Sequence, residues 1–353
     1  MTVLQFGVFP PPDGGVQSNV KDIRDYLRRN GIRCGVVHLS RHRQADHDDV
    51  FYPKTPLQVL KIALSFPADI YHFHLGGQIT KELLGLYGIA TCIPGRKKVL
   101  TFHSGGYPLS PDALRAHPLR NFVFRRFDRV IGVNQQIIEM FVGYGVKREK
   151  LRLIPPYALP SEPPPAEIPE AIRDFMREHS PLLLAVCLLE PEYDLALQVE
   201  VMERVLRKYP RAGLLIIGAG SLESELRALI ASKPWGNSIL LCGNVPRPAT
   251  LNVMTGSDLL VRTTWYDGDA VSIREALHFS VPVVASDNGM RPPGITLIPA
   301  RDIDALEKAI DRRLAEPKLP RVPKPPVEEN LKAVLELYRE LHSGPGGRGS
   351  LRS

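Results

Sequence analysis

Two successive runs of alternating strand-like and helix-like segments, separated by a proline-rich stretch, constrain this chain more than any other feature. In the first run, residues 3–9 read as an apolar strand and residues 16–30 as a helix stopped by Gly31. Strand-like segments follow at 33–39, 70–73, 98–102 and 130–133, with helical patterns between them. The alternation restarts with strands at 182–189, 213–217, 238–242, 258–262 and 281–285. Strands alternating with helices imply parallel, doubly wound sheets, in which ligands bind beyond the carboxyl ends of the strands. Pro160, Pro163, Pro164, Pro165 and Pro169 make the intervening segment a poor core element, with room for a short helix near 170–178. The expected layout is a domain at 1–158, a linker at 159–181, a second domain at 182–316, a crossover and helix at 317–342, and a disordered tail at 343–353. The last helix carries an apolar stripe of Leu331, Val334, Leu335, Tyr338 and Leu341.

A length of 353 residues suits two domains, and a chain that is 44% hydrophobic and 24% charged reads as soluble and globular. No apolar run approaches a membrane span, and residues 1–7 lack the features of a signal peptide. Cys34, Cys92, Cys187 and Cys242 have no paired spacing and read as buried small hydrophobes in a reducing compartment, so a cytoplasmic location is expected. The net charge of +7 is modest, and no aromatic-basic platform for nucleic acid is evident. Within 115–129, however, Arg115, Arg120, Arg125, Arg126 and Arg129 interleave with Leu119, Phe122, Val123, Phe124 and Phe127. Such a pattern fits a peripheral contact with an anionic membrane, or else an ordinary helix with a solvated basic face.

Residues 263–286 carry the densest chemical signal. A strand is followed by the turn Tyr266-Asp267-Gly268-Asp269-Ala270, a helix containing Arg274 and Glu275, and a second apolar strand. Backbone N–H groups at such a helix start favour a phosphate, and the acids Asp267 and Glu275, seven residues apart, can accept hydrogen bonds from sugar and ribose hydroxyls. Ser272 to Glu275 also fits a helix capping box, S-x-x-E, which would make Glu275 structural. An acid, seven residues, then Glu-Ala and an apolar strand resembles the E-x7-E signature of the retaining GT-B glycosyltransferases of the family-four class, with Asp267 in place of the first Glu. The turn Arg291-Pro292-Pro293-Gly294 resembles that of one of its subgroups. The resemblance implies a GT-B fold of two Rossmann-like domains facing across a cleft, with the final helix packed back on the N-terminal domain. Asp267-Gly268-Asp269 also matches the metal-binding D-x-D of GT-A enzymes; its place late in the chain fits GT-B better, and metal-independent binding is expected.

Further segments extend the likeness. The turn at 10–17, with Gly14 and Gly15, is similar to the family's N-terminal glycine loop beside the donor phosphate. Thr101-Phe102-His103 resembles its T-x-H segment, which implies that His103 bonds the transferred sugar or the departing phosphate. His72 and His74 share one strand face and read as packing or cleft lining. Gly218 and Gly220 match the G-x-G turn of the nucleotide-binding domain, and Gly243-Asn244-Val245 the turn near the base. At 185–194 the sequence departs from the family: Leu188 and Tyr193 stand where basic residues usually stabilise the leaving diphosphate. Arg262, Arg274 or Arg291, together with amides at 268–270, are the candidates to replace them.

The expected function is therefore sugar transfer, with retention, from a nucleoside diphosphate sugar to a hydroxyl acceptor in glycan, cell-surface polysaccharide or glycoconjugate biosynthesis. Asp267 would hold sugar hydroxyls, Glu275 the ribose, and His103 the sugar from the other domain. No cofactor beyond the nucleotide sugar is expected. The alternative is a catalytically inactive GT-B protein that binds a nucleotide sugar or serves as a scaffold. Sugar, base and acceptor are not readable from the sequence.

Overall fold

In the computed structural model, residues 1–11, 14–40, 44–77, 79–105, 107–265, 270–317 and 324–343 are described. Asp13, Gly106, Asp267, Gly268, Asp269, part of the proline-rich crossing (318–323) and the tail from 344 lie outside the described residues. The chain divides into two units, Met1–Ala158 with Glu328–Ser353, and Leu159–Val327.

Among the described residues of the first unit, seven parallel strands form one sheet in the order β3-β2-β1-β4-β5-β6-β7. They are β1 (Thr2–Gly7), β2 (Arg33–His38), β3 (Val50–Phe51), β4 (Ile70–Leu75), β5 (Lys97–Phe102), β6 (Arg129–Gly132) and β7 (Leu151–Leu153). Alternation along each strand sorts side chains to the two faces. Leu4, Phe6, Tyr71, Phe73, Leu100 and Phe102 face one core, shared with Tyr87, Phe124, Phe127 and Phe141 from the helices. Val3, Ile70, Val99 and Ile131 face the other, which is closed by Ile23 and Leu27 of helix Gly15–Arg29 and by Leu331, Val334, Leu335, Tyr338 and Leu341 of helix Glu329–Ser343.

The second unit has six described parallel strands in the order β10-β9-β8-β11-β12-β13. These are β8 (Leu182–Val186), β9 (Gly213–Ile217), β10 (Ile239–Gly243), β11 (Leu259–Arg262), β12 (Val283–Ser286) and β13 (Thr296–Ile298). Their near-continuous apolar runs are those of strands covered on both faces. Residues 159–181 are not a linker between units. Helix Glu170–Glu178 plants Ile172 and Phe175 in the core of the second unit, and Leu159 pairs with Val327 by an antiparallel bridge.

The basic stretch at 115–129 is not one amphipathic helix. Its helix is short, Pro118–Arg125, and of the five arginines in the stretch Arg120 is buried. Arg120 is 2% exposed, donates to the carbonyls of Asp112, Ala113 and Arg115 and lies 3.9 Å from the Tyr144 ring centroid, so it serves as a cap for the segment before it. Arg129 pairs with Glu340 of the C-terminal helix. Arg115, Arg125 and Arg126 are exposed, beside Leu114, Leu119 and Phe122. All four cysteines are free; Cys34 is buried, Cys187 and Cys242 are half-buried, and Cys92 is exposed rather than packed.

Candidate functional site

In each unit the strand order reverses between two central strands, β1 and β4 in the first and β8 and β11 in the second. Loops leaving the carboxyl ends of such neighbours diverge and open a crevice. Both crevices gather the residues expected to carry chemistry.

In the first unit, helix Gly15–Arg29 follows β1 and begins at Gly14 in extended conformation with no side-chain cap. Five other helices of the unit, starting after Thr55, Thr80, Ser110, His117 and Asn134, have their first turn capped by those side chains. The 15–29 helix thus keeps unsatisfied N–H donors at the end where its dipole is positive. Beside it, β4 and β5 bring three histidines to the same face. His72 is fully buried between the Tyr338 hydroxyl (2.5 Å) and the Thr101 hydroxyl (2.7 Å). His74, 5% exposed, spans Gln5 Oε1 (2.8 Å from Nε2) and His103 Nε2 (3.1 Å from Nδ1). Burial lowers the pKa of His72 and of His103 to about 3. It also holds His74 well below the usual histidine range, with a further push from the neighbouring rings. All three are neutral at pH 7. His72 and His74 are therefore interior hydrogen-bonded residues, and His103 is the half-exposed end of the row.

In the second unit, Glu275 is 5% exposed on helix Val271–His278. The capping-box reading fails there. The helix begins after Ala270, which places Ser272 inside its first turn, and the Ser272 hydroxyl accepts from Arg262 (3.2 Å). Glu275 Oε1 instead accepts from Nε of Arg247, 2.8 Å away, at the start of helix Arg247–Gly256. Sequence reasoning missed Arg247. Its only signal was a cation between Pro246 and Pro248, just after the Gly243-Asn244-Val245 turn.

Arg262, at the end of β11, is 8% exposed. It donates to the Val186 carbonyl (2.8 Å) and to Ser272, and its guanidinium lies 5.1 Å from the Tyr193 ring centroid. The loop carrying Tyr193 is tied to β11 by Thr263, whose hydroxyl donates to the Tyr193 carbonyl (2.8 Å) and accepts from Gln198 (2.9 Å). A buried cation thus stands against Tyr193, where a basic residue was expected. Leu188, by contrast, is 56% exposed. Arg291 is engaged by backbone, donating to the carbonyls of Ser286 (3.0 Å) and Thr264 (3.3 Å), and so clasps the ends of β11 and β12. Around these strand ends the buried polar atoms Thr264 Oγ1, Trp265 Nε1, Ser286 Oγ and Asn288 Nδ2 have no hydrogen-bond partner among the described residues. Buried polar groups are costly unless paired, so these four are candidates to meet a polar ligand at the crevice. Arg274 is half-buried on the 271–278 helix and Asn244 is exposed.

The two glycines at 218 and 220 have a packing reason. A Cβ on Gly218, whose φ is 142°, would lie 1.8 Å from the Cys187 carbonyl oxygen, and one on Gly220 would lie 2.4 Å from that of Leu189. Their absent side chains let the loops after β8 and β9 run together, which positions Glu190 to accept from the Ser221 amide (2.9 Å) and hydroxyl (2.5 Å).

A model of the family described as glycosyl transferases group 1 matches residues 170–325, and one described as glycosyltransferase family 4 matches residues 13–157. An uncharacterized glycosyltransferase of Methanocaldococcus jannaschii is 30% identical over 89 residues, which are 25% of this chain and only 21% of that relative's length. Among solved structures, Anabaena HepE in complex with UDP and glucose is similar over 90% of both chains, with a TM-score of 0.67 and 18% identity. Sucrose-phosphate synthase from Thermosynechococcus elongatus is similar over 97% of this chain and 99% of its own, with a TM-score of 0.70 and 17% identity. The two family models together span most of the sequence, and the chain belongs to the group 1 glycosyltransferases of the GT-B fold.

Proposed function

We propose that the protein is a retaining, metal-independent glycosyltransferase that moves a sugar from a nucleoside diphosphate to a hydroxyl acceptor. The observation that carries this reading is Arg262. Its buried guanidinium rests against Tyr193 and bonds Ser272 in the first turn of helix 271–278. Guanidinium charge and helix dipole both favour an anion at that point, as a leaving diphosphate requires. Arg262 would thus supply the charge that Leu188 and Tyr193 do not.

In this reading Glu275, held by Arg247, receives the ribose hydroxyls. Asp267 orients the sugar, with the amides of Gly268, Asp269 and Ala270 and the side chain of Arg274 about the diphosphate. Gly218, Gly220 and Asn244 flank the nucleotide, and Gly14, Gly15 and His103 act from the first unit. The anomeric C–O bond to phosphate breaks, the acceptor oxygen bonds on the same face, and the acceptor proton passes to the leaving phosphate. HepE's complex with UDP and glucose supports placing uridine donors first among those tried. The decisive assay is a panel of nucleotide sugars scored for thermal stabilisation and slow hydrolysis, with and without EDTA, followed by NMR assignment of the product anomer. No stabilisation by any nucleoside diphosphate would refute the reading. Binding with no turnover, even with acceptors, would favour the inactive binding protein.

The acceptor side suggests a lipid-linked or membrane-bound context in glycan or polysaccharide synthesis. Leu114, Leu119 and Phe122 are 79%, 58% and 52% exposed, beside the exposed Arg115, Arg125 and Arg126. Each cation near an anionic bilayer contributes about 1 kcal/mol, and each inserted large apolar side chain about 1.5–3 kcal/mol. Peripheral binding on that scale is reversible. No described helix is long and apolar enough to cross a membrane. Sedimentation with phosphatidylglycerol vesicles, lost in Leu119→Glu/Phe122→Glu and absent with neutral vesicles, is the expected result; no sedimentation of the unaltered protein would remove this contact.

A further inference from the structure

Gln5 is a fully buried amide in the middle of a central strand, where apolar residues are the rule. Its hydrogen bonds have a definite sense. The Nε2 group donates to the Val20 carbonyl of helix 15–29 (3.0 Å), so Oε1 is left to accept. Oε1 lies 2.8 Å from Nε2 of His74, and that nitrogen therefore carries a proton. A neutral His74 has only one, so its Nδ1 is bare and must accept from His103 Nε2, 3.1 Å away. His103, also neutral, then has its single proton on Nε2, and its Nδ1 is bare. No described residue hydrogen-bonds that Nδ1. Gln5, His74 and His103 thus form a directed row from a helix carbonyl to the carboxyl edge of the sheet.

We propose that Gln5 and His74 are positioning residues that hold His103 in the Nε2–H tautomer, so that its outward Nδ1 can only accept a hydrogen bond. An acceptor-only nitrogen binds a hydroxyl proton and is repelled by a phosphate oxygen. The motif alone leaves sugar and departing phosphate both open as partners of His103; the hydrogen-bond row selects a sugar hydroxyl. That partner assignment rests on the glycosyltransferase reading, whereas the tautomer does not.

The two parts are separated by experiment. In protein labelled with 15N-histidine, long-range 1H–15N correlation distinguishes bare from protonated ring nitrogens, and His103→Ala assigns the signals. The expected spectrum has His103 bare at Nδ1 alone. A protonated Nδ1 in the unaltered protein overturns the proposal whatever the enzyme does. Gln5→Met, close in size, removes the acceptor that fixes His74, and mixed His103 tautomers should appear. With an active donor, Gln5→Met should lower kcat/KM by about tenfold, the scale of one hydrogen bond. Added to His103→Ala it should lower it by less than about twofold, because residues acting through one group are non-additive. Equal losses in both backgrounds, or an unchanged His103 tautomer in Gln5→Met, would show a merely structural amide and refute the positioning role. Absence of turnover with every donor counts against the proposed function, and the spectrum still decides the tautomer.

Discussion

Replacing Arg247 with Met should destabilise the second unit by an amount that depends on pH in a particular way. Met keeps most of the stem and removes the guanidinium from a carboxylate whose side chain is 6% exposed. The lower bound is the loss of one charge-assisted hydrogen bond, about 1.5 kcal/mol. The upper bound comes from the escape route open to a buried carboxylate, which is to bind a proton. Taking a carboxyl from its ordinary value near 4.3 to neutrality at pH 7 costs about 3.7 kcal/mol, so the penalty should fall between these limits. Arg247 has no such escape, but its side chain is 21% exposed and water can replace part of what it loses. Glu275→Gln should therefore cost less stability than Arg247→Met.

The sign of the pH effect follows from linkage. Removing Arg247 takes away a cation that favours the ionised form of Glu275, so the carboxyl of the folded variant binds a proton more readily than that of the unaltered protein. The penalty is full where Glu275 is ionised in both folded proteins, shrinks as falling pH protonates the variant's carboxyl first, and is lost once both are protonated. Urea titrations at pH 7.5, 6 and 5 would measure it. Both tryptophans, Trp235 and Trp265, belong to the second unit, so intrinsic fluorescence follows that unit's unfolding directly. A variant within about 0.5 kcal/mol of wild type at neutral pH, the range of an ordinary surface change, would refute the argument. A gap that persists unchanged at pH 5 would refute it equally. A capping-box role for Glu275 predicts that silent outcome, because no arginine takes part in such a cap.

The roles assigned to the individual site residues give separable kinetic results. Glu275→Gln should raise the donor KM by roughly tenfold to a hundredfold with little change in kcat, since a ribose contact is similar in ground and transition states. Asp267→Asn should lower kcat instead, and equal effects of both changes on kcat would merge the two roles. Arg262→Gln should lower kcat by about 10²–10³, the scale of removing one electrostatic contact to developing charge; a near-wild-type rate would return Arg262 to packing. Gly218→Ala should prevent normal folding of the second unit, because its Cβ would lie 1.8 Å from the Cys187 carbonyl at a φ of 142°. A wild-type fluorescence melt for that variant would contradict the close approach of the two loops.

What could be read in the chain beforehand follows from which interactions repeat and which occur once. Segments such as Leu182–Val186 and Gly213–Ile217 are continuous apolar runs because both sheet faces are covered, and periodicity alone exposes them. Val50–Phe51, Leu151–Leu153 and Thr296–Ile298 lie at or near sheet edges and are two or three residues long, too short for any period. Charge patterns fail for a different reason. Arg120 and Arg125 are both cations on one short helix, yet the first caps buried carbonyls and the second is exposed. A guanidinium satisfies either role, and only tertiary neighbours choose between them. Ser272 and Glu275 illustrate the same ambiguity, since their spacing suits a capping box and the helix begins two residues earlier, freeing the hydroxyl for Arg262 and the acid for Arg247. The strand polar residues were the clearest unused signal. Gln5, His72, His74 and Thr101 interrupt runs that should be apolar, and alternation along β1, β4 and β5 turns them to one face. Four buried polar side chains on one face must satisfy one another or leave the sheet strained by unpaired groups. That requirement marks the face as a hydrogen-bonded one, while the strand order and register that bring Gln5, His74 and His103 into one row come from the structure.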